Sequence, residues 1–300
     1  METMNSSPFA RPGLILAAAA AGLALATAAP AQAGAGDKEV ARTVSFGGSC
    51  AKCELSGRKL VGAQFVGANF RAAALVGADL RGAELMASDF SESDFTRADL
   101  RHAQLPGSIF SRAVFVHARM DGVEAHGAVF SDSDLTRARL SGAALVGASL
   151  SRSALVHASF DNSEMMGANL GGVDATRADF NNAEMDGADL ANGTFNYASF
   201  RAASLDRARL KGGSFSGADF REASLEKADL RGANLSGARN LTQDQLDEAC
   251  GDRSTVLPKK LTVRECARTV LIRREAPKPP KPPKPPAPAP APRYIYVTGQ

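Results

Sequence analysis

The chain of 300 residues contains 35 lysines and arginines and 32 aspartates and glutamates, a formal net charge of +3. Residues 50–240 hold 21 basic and 23 acidic residues, and this balance excludes a surface that imitates a polyanion. Residues 241–300 hold 11 basic and 6 acidic residues, so the excess positive charge lies in the C-terminal part. No stretch beyond residue 33 is apolar enough to span a bilayer.

The first 33 residues have the layout of a secretory signal peptide. Arg11 precedes an apolar run over residues 14–28, and the motif Ala-Gln-Ala at 31–33 matches a cleavage site. The alternative is a membrane anchor, which the shortness and high alanine content of the run disfavour. We therefore expect a signal peptide at residues 1–33 and a mature protein that is periplasmic or secreted in a bacterial envelope. Residues 34–49 are expected to form an N-terminal cap segment.

A period of five residues runs from Leu55 to Leu235. Every fifth residue of this stretch, here called a central residue, gives 37 sites with 19 Leu, 13 Phe and 3 Met, and the two exceptions are Ala125 and Ala175. Two residues before the central residue, Ala, Ser or Gly occupies 33 of the 37 sites. Neither a helix nor a flat strand keeps residues five apart on one side. The chain must therefore turn a corner every five residues and stack as a solenoid.

The phenylalanines indicate how many corners make one coil. Central phenylalanines recur every 20 residues, which places four pentapeptides in a coil and stacks equivalent rings on one another. About nine coils at the strand spacing of about 4.8 Å would form a rod roughly 45 Å long. The two longer columns are Phe70, Phe90, Phe110 and Phe130, followed by Phe160, Phe180, Phe200 and Phe220.

The small and large positions predict a filled interior. Where the central residue shrinks to Ala125 or Ala175, the small position grows to Val123 or Val173, which keeps the core volume constant. The corners are visible as well, because Pro106-Gly107 follows a central residue as a type II turn requires. A filled interior excludes an internal ligand cavity.

These units resemble those of a known family. Ala78-Asp79-Leu80-Arg81-Gly82, Ala218-Asp219-Phe220 and Ala233-Asn234-Leu235-Ser236-Gly237 are similar to the A(D/N)LXX units of pentapeptide-repeat proteins, and the resemblance covers residues 50–240. It implies an all-β solenoid, a right-handed quadrilateral β-helix. It implies little about function, because the family has many roles. Some cytoplasmic members resemble DNA and bind type II topoisomerases, which the near-neutral charge and the predicted export disfavour here.

Four cysteines agree with an oxidising compartment. The solenoid separates Cys50 and Cys53 at one end from Cys250 and Cys266 at the other, and bridged Cα atoms must lie within about 7 Å. We therefore predict the disulfides Cys50–Cys53 and Cys250–Cys266. The alternative for the first pair is a redox or metal site, but a βαβ context and a second ligand pair of suitable spacing are missing from the sequence.

Residues 241–275 are predicted to cap the C-terminal end. Thr242 to Gln245 has the pattern of a capping box, Leu246 and Ala249 lie on one helical face, and Gly251 is the expected end of the helix. A short amphipathic helix would cover the open end of the core, as terminal units of repeat proteins must. The loop from Cys250 to Cys266 would complete the cap.

Residues 276–300 are predicted to form a disordered proline-rich tail. Ten of the fifteen prolines lie between residues 277 and 292, with interspersed lysines, and such a segment forms an extended polyproline spacer rather than a core. The alternative is a tether whose tip, residues 293–297, adds a strand to a partner.

The sequence contains no recognisable catalytic residues, and we expect no cofactor, no metal and no nucleic acid partner. One exposed column is a candidate surface site, because its residues follow one another by 20 and lack glycine. Its members are Arg97, His117, Arg137, His157, Arg177 and Tyr197. We expect a non-enzymatic structural or protein-interaction scaffold, with a homodimer through a solenoid end as a further expectation. The alternative is a binder of an anionic envelope polymer or lipid through this column, with a histidine-dependent response to pH, or through the basic tail.

Overall fold

The computed structural model describes residues 48–267. The predicted signal peptide, nearly all of the N-terminal cap segment and the proline-rich tail lie outside these residues. Within residues 48–267, no helix has the length and apolarity needed to cross a bilayer.

The repeat region is a stack of four-sided coils. Parallel bridges join residues 20 apart, from Ser49 with Asn69 to Asp219 with Arg239, and each strand is reduced to one bridged residue per side. That bridged residue directly precedes a central residue and points outward. Sides I, II, III and IV have their central residues at 50, 55, 60 and 65 and at every twentieth residue thereafter. Each corner takes the number of the side that it follows.

Every corner has the same turn. The backbone N–H three residues after a central residue donates to the central carbonyl, as from Ala63 to Leu60 at 3.1 Å, except after Phe65, where the Ala68 N–H donates to Ser88 Oγ. The second residue after each central residue has a positive φ at every corner from Lys52 to Gly237, between 53° and 70°. This matches a type II turn, whose third residue has φ > 0. The predicted corner at Pro106-Gly107 has this form, with φ of 64° at Gly107.

The core is continuous and filled. All 37 central residues from Leu55 to Leu235 are buried. The phenylalanine columns stack as predicted, for instance with ring centroids 4.8 Å apart between Phe70 and Phe90 and 5.1 Å apart between Phe180 and Phe200. Rings of neighbouring columns meet across a corner at angles from tilted to edge to face, for instance 71° between Phe95 and Phe110 and 55° between Phe195 and Phe200. Phenylalanine therefore gains both burial and ring contacts along and across the coils.

Buried serines at the small positions carry hydrogen bonds. The hydroxyls of Ser88 and Ser108 donate to the carbonyls of Phe65 and Leu85 in the preceding coil, each at 2.5 Å, and Ser133 donates to Phe110 at 2.7 Å. Leu85 and Phe110 also accept the N–H of their own turn, whereas after Phe65 the Ala68 N–H donates to the Ser88 hydroxyl oxygen at 2.9 Å. A serine can therefore replace alanine in the core without leaving a polar atom unpaired.

The C-terminal end is covered by helix α1, Gln243–Asp247, which begins with a capping box of Thr242 and Gln245. Leu246 of this helix and Ala249 directly after it are fully buried. The prediction that the helix ends at Gly251 was wrong. The helix ends at Asp247, and a last turn of solenoid ladder follows directly. The N–H of Lys227 donates to the carbonyl of Glu248 at 2.8 Å, and this pairing takes the backbone out of the helix.

Candidate functional site

Both predicted disulfides are present. The Cα atoms of Cys50 and Cys53 are 5.2 Å apart, and those of Cys250 and Cys266 are 4.7 Å apart. Cys50 and Cys53 are buried and span the first corner. No cysteine within residues 48–267 is free. The first pair therefore closes the end of the core as a structural bond.

The second disulfide lies beside a carboxylate. Asp229, Cys250 and Cys266 place one candidate ligand atom each within 4.8 Å of one another, and Cys266 Sγ lies 3.7 Å from Asp229 Oδ1. Metal binding by cysteine requires the thiolate, whereas these two sulfurs are bonded to each other. The Arg231 guanidinium also hydrogen-bonds Asp229 and holds the pKa of that carboxyl below its ordinary value. The cluster in this form is part of the C-terminal closure.

The predicted column lies on corner II, and we call its six residues the corner stripe. Successive members are joined through the ladder, as where the N–H of Arg97 donates to Val116 at 2.9 Å and that of His117 donates to Thr136 at 3.1 Å. All six side chains are exposed. All six residues also have φ between 58° and 60°, a region that favours glycine. The stripe thus places bulky polar side chains in a costly backbone conformation in six consecutive coils.

The carboxylates nearest to the stripe in sequence are engaged by the backbone. Asp94, Asp134 and Asp174 accept hydrogen bonds of 2.8 to 3.0 Å from the N–H groups of the threonines two residues later. Within the described part of the chain, no ion pair joins a stripe arginine to a carboxylate. The stripe guanidinium groups are therefore available to an anion from outside.

Arginines on corner III behave differently. Arg81 and Arg101 each bind the aspartate two residues earlier, Asp79 and Asp99, at 2.7 Å. The hydrogen bond from each guanidinium holds the pKa of its aspartate below the ordinary value. These arginines differ from those of the stripe because they lie one residue closer to the outward carboxylate.

Tyr197 ends the stripe. The guanidinium carbon of Arg177 lies 5.7 Å from the centroid of the Tyr197 ring, which is a cation–π distance. On the other side, a Cβ at Gly217 would lie 2.8 Å from the ring. The ring is held between an arginine and a glycine of the neighbouring coils, although Tyr197 remains 59% exposed.

Side I forms a second surface that the sequence reasoning missed. Its outward residues in four consecutive coils are uncharged: Ile109, Val129, Ser149 and Asn169. Over the same coils, the outward positions of the other three sides include charged residues. Apolar residues of corner IV border this surface. We call Ile109, Val129, Met86, Pro106, Val146 and Met166 the side I patch. Reading the outward residues in steps of 20 would have revealed it.

One open groove lies between the last coil and α1. It has a volume of about 530 Å³, and its lining includes Glu222, Glu226, Asp244 and Glu248. Glu226 is paired with Lys227. The groove is acidic and shallow, and its lining residues include neither histidine nor cysteine.

Comparison with known proteins identifies the class. The model of the family described as pentapeptide repeats matches in overlapping copies that together span residues 49–237. The chain belongs to the pentapeptide-repeat family. Membership implies that the quadrilateral β-helix is right-handed. No curated protein matches the chain.

Several solved structures are similar. HetL, a pentapeptide repeat protein involved in heterocyst differentiation regulation from the cyanobacterium Nostoc sp. strain PCC 7120, is 29% identical over 69% of this chain and 91% of that chain, with a TM-score of 0.36. Rfr23 from the cyanobacterium Cyanothece 51142 is 27% identical over 31% of this chain and 63% of that chain, with a TM-score of 0.28. QnrB1, a plasmid-mediated fluoroquinolone resistance protein, is 21% identical over 69% and 92% of the two chains, with a TM-score of 0.31.

Proposed function

We propose that this protein is a non-enzymatic, exported scaffold that binds other macromolecules through its outer sides. The observation that carries the proposal is the burial of all central residues, which leaves no interior volume for a substrate. Recognition then depends on the flat sides and the corner columns. These surfaces are rigid, because the ladder joins every coil to the next.

Export is supported by the signal-like segment at residues 1–33 and by two disulfides, which persist in oxidising compartments. We propose a periplasmic or secreted location. Intact-mass analysis of protein from fractionated cells tests it, and the expected N-terminal residue is Gly34. An intact N-terminus in the cytoplasmic fraction would contradict export.

A photo-crosslinking amino acid placed on each side tests the scaffold function in cells that produce the protein. Suitable outward positions are Ile109, Val114, Ser159 and Gln104, on sides I, II, III and IV. We expect light-dependent products concentrated on one or two sides, identified by mass spectrometry. If every position yields only the products seen without light, the protein does not work as an interaction scaffold.

A second candidate function is the binding of an extended anionic polymer along the corner stripe. Arg97, Arg137 and Arg177 favour it, because among the described residues they pair with no carboxylate and form a line of positive charge two coils apart. Two coils correspond to about 10 Å at strand spacing. A polymer with charges repeated along its length could contact several of these groups at once.

The matched test compares two triple variants, each of which removes three positive charges. One variant combines Arg97→Gln, Arg137→Gln and Arg177→Gln, and the control combines Arg81→Gln, Arg101→Gln and Arg231→Gln, whose guanidinium groups are already paired with aspartates. Binding of polyphosphate and dextran sulfate is measured at low and physiological ionic strength. We expect about a tenfold loss in the stripe variant, from roughly 0.5 kcal/mol per exposed contact. Equal losses in both variants would show that net charge alone matters.

A deletion of residues 276–300 separates the stripe from the basic tail in the same assay. If the deletion abolishes binding and the stripe variant does not, the tail is the anion-binding element. Imitation of DNA toward topoisomerases is the least supported function, because residues 50–240 are nearly neutral and the stripe is basic.

A further inference from the structure

We propose that side I is the interface of an antiparallel homodimer, with a two-fold axis lying in the plane of this side. The axis is perpendicular to the solenoid and passes midway between the coil that contains Arg112 and the coil that contains Asp132. This inference is independent of the proposed partners of the corner stripe. It places self-association on a side rather than on an end of the solenoid.

The first support is the composition of side I. Ile109 is 41% exposed and Met166 is 39% exposed, and the outward residues between them carry no charge. The centre of a protein interface is typically depleted of charged residues, with polar residues at the rim. On this side, the neutral centre is bordered along corner I by a row of exposed charged residues.

That row is the second support, and we call Glu92, Arg112, Asp132 and Arg152 the corner I charge row. Its members are the second corner residues of four consecutive coils. Within one chain they form two ion pairs, Glu92 with Arg112 and Asp132 with Arg152. The arginines are 60% and 65% exposed, and the acids are 45% and 41% exposed, so both pairs can accept further contacts.

The order of these charges is self-complementary when reversed. An antiparallel copy about the proposed axis brings Arg112 opposite Asp132 of the second copy, and Glu92 opposite Arg152 of the second copy. Moving the axis onto the coil of Arg112 would bring arginine opposite arginine and glutamate opposite aspartate. Like charges in contact oppose association, and the proposed axis brings all four members of the row opposite an unlike charge.

The same axis also brings two pairs of apolar residues opposite each other. It brings Ile109 opposite Val129 of the second copy, and Met86 opposite Val146 of the second copy. Pro106 then faces His126 of the second copy. The charge row and these apolar pairs share one centre of symmetry, as an isologous interface requires. The same axis brings Asp89 of one copy opposite Ser149 of the second copy.

The expected dimer is small and concentration-dependent. Six coils extend about 30 Å along the solenoid and one side is roughly 10 Å wide at strand dimensions. That footprint is below the roughly 800 Å² per partner of a standard interface. The C-terminal end offers less apolar surface, because α1 buries Leu246 and Ala249 there. Corner II lies diagonally across the coil from corner IV and does not border side I. The corner stripe of each copy therefore stays exposed in this dimer.

Charge-swap variants test the proposal in the purified protein. Arg112→Glu alone would place two acids opposite each other twice in a homodimer, and Asp132→Arg alone would place two arginines opposite each other twice. A mixture of the two variants restores opposite charges at both contacts. Sedimentation velocity should show dimers for the natural protein, at least tenfold weaker association for each variant, and recovery in the 1:1 mixture.

Circular dichroism of each variant checks that the solenoid is folded, and the mixing arm separates interface effects from folding effects. A second readout is an interchain disulfide between a chain with Ile109→Cys and a chain with Val129→Cys. A natural protein that stays monomeric up to about 100 µM would overturn the proposal. So would a mixture that associates no better than the single variants. A dimer with unchanged affinity in both variants would place the interface elsewhere.

Discussion

The side-chain amide of Gln245 donates a hydrogen bond of 2.8 Å to the backbone carbonyl of Phe220, and a second of 2.7 Å to that of Ala223. In earlier coils, such carbonyls accept hydrogen bonds from the backbone N–H or serine hydroxyl of the next coil. At these two carbonyls, the Gln245 side chain therefore takes the place of the hydrogen-bond donors that the next coil supplies elsewhere.

We expect Gln245→Leu to lower the free energy of unfolding by about 1 to 3 kcal/mol, because the carbonyl of Ala223 loses its partner and that of Phe220 keeps only the N–H of its own turn. Chemical denaturation measures the change. Gln104→Leu, an outward position on side IV, is the matched control and should change stability by less than about 0.5 kcal/mol. Equal effects would mean that the loss is not specific to the cap.

Val123 and Ala125 compensate for each other in volume, and both are fully buried. Ala125→Leu alone should cost about 1 to 3 kcal/mol by overpacking, and Val123→Ala alone should cost a similar amount by leaving a cavity. The double variant has the usual small and large pair and should regain most of the stability. A double-mutant cycle in denaturant measures this coupling. Additive losses would show that the two sites are packed independently.

The ring of Tyr197 makes Gly217 different from other corner glycines. A Cβ at Gly142 would meet no atom within 4 Å, so Gly142→Ala should cost about 1 kcal/mol from the positive φ alone. Gly217→Ala adds a contact of 2.8 Å with the ring and should cost more. In a Tyr197→Ala background the two costs should become equal. A persistent difference would assign the extra cost to the backbone instead.

The corner stripe allows the opposite substitution, in which a residue with positive φ is replaced by glycine. Arg137 has φ of 59°, so Arg137→Gly should raise stability by a few tenths to about 1 kcal/mol while weakening polyanion binding. Arg137→Gln keeps the strained backbone and should affect binding alone. Thermal denaturation and polyphosphate titration of both variants separate the two effects. A less stable glycine variant would show that the arginine stem contributes to packing.

The pKa of Asp252 is lowered to about 2, chiefly by the hydroxyl of Ser254, with further hydrogen bonds from the backbone N–H groups of Gly232 and Ser254 and from Thr255. Because the folded pKa lies below the ordinary aspartate value of about 3.9, this carboxylate stabilises the fold above about pH 4. That contribution is lost as the pH falls toward 2.

We therefore expect the denaturation midpoint to fall between pH 4 and pH 2, and to fall less in Asp252→Asn. The variant should already be less stable than the natural protein at pH 7. Asp244→Asn, on the exposed side of α1, is the control and should follow the natural pH profile. Parallel profiles for all three proteins would assign the acid sensitivity to other carboxylates.

The sequence alone determined the coil, the core and the cysteine pairing of this protein. A period of five with a 20-residue recurrence of phenylalanine allows one arrangement of inward side chains, because residues such as Phe70 and Phe90 must stack. Compensated sites such as Val123 with Ala125 were visible for the same reason. The six residues of the corner stripe were found as a column, since repeats convert spacing in sequence into distance along the rod.

Only the tertiary structure decided which outer side chains have partners and how the solenoid ends. Arg101 binds Asp99 whereas Arg97 binds no carboxylate among the described residues, although both follow an aspartate closely. Arg97 lies three residues after its aspartate and Arg101 lies two residues after its own. This difference of one residue turns the Arg97 side chain away from the carboxylate. Helix α1 ends at Asp247 rather than at Gly251, because the backbone of Glu248 pairs with the coil beneath it. Outward contacts depend on corner geometry and on neighbours 20 residues away, whereas inward contacts depend on the period alone.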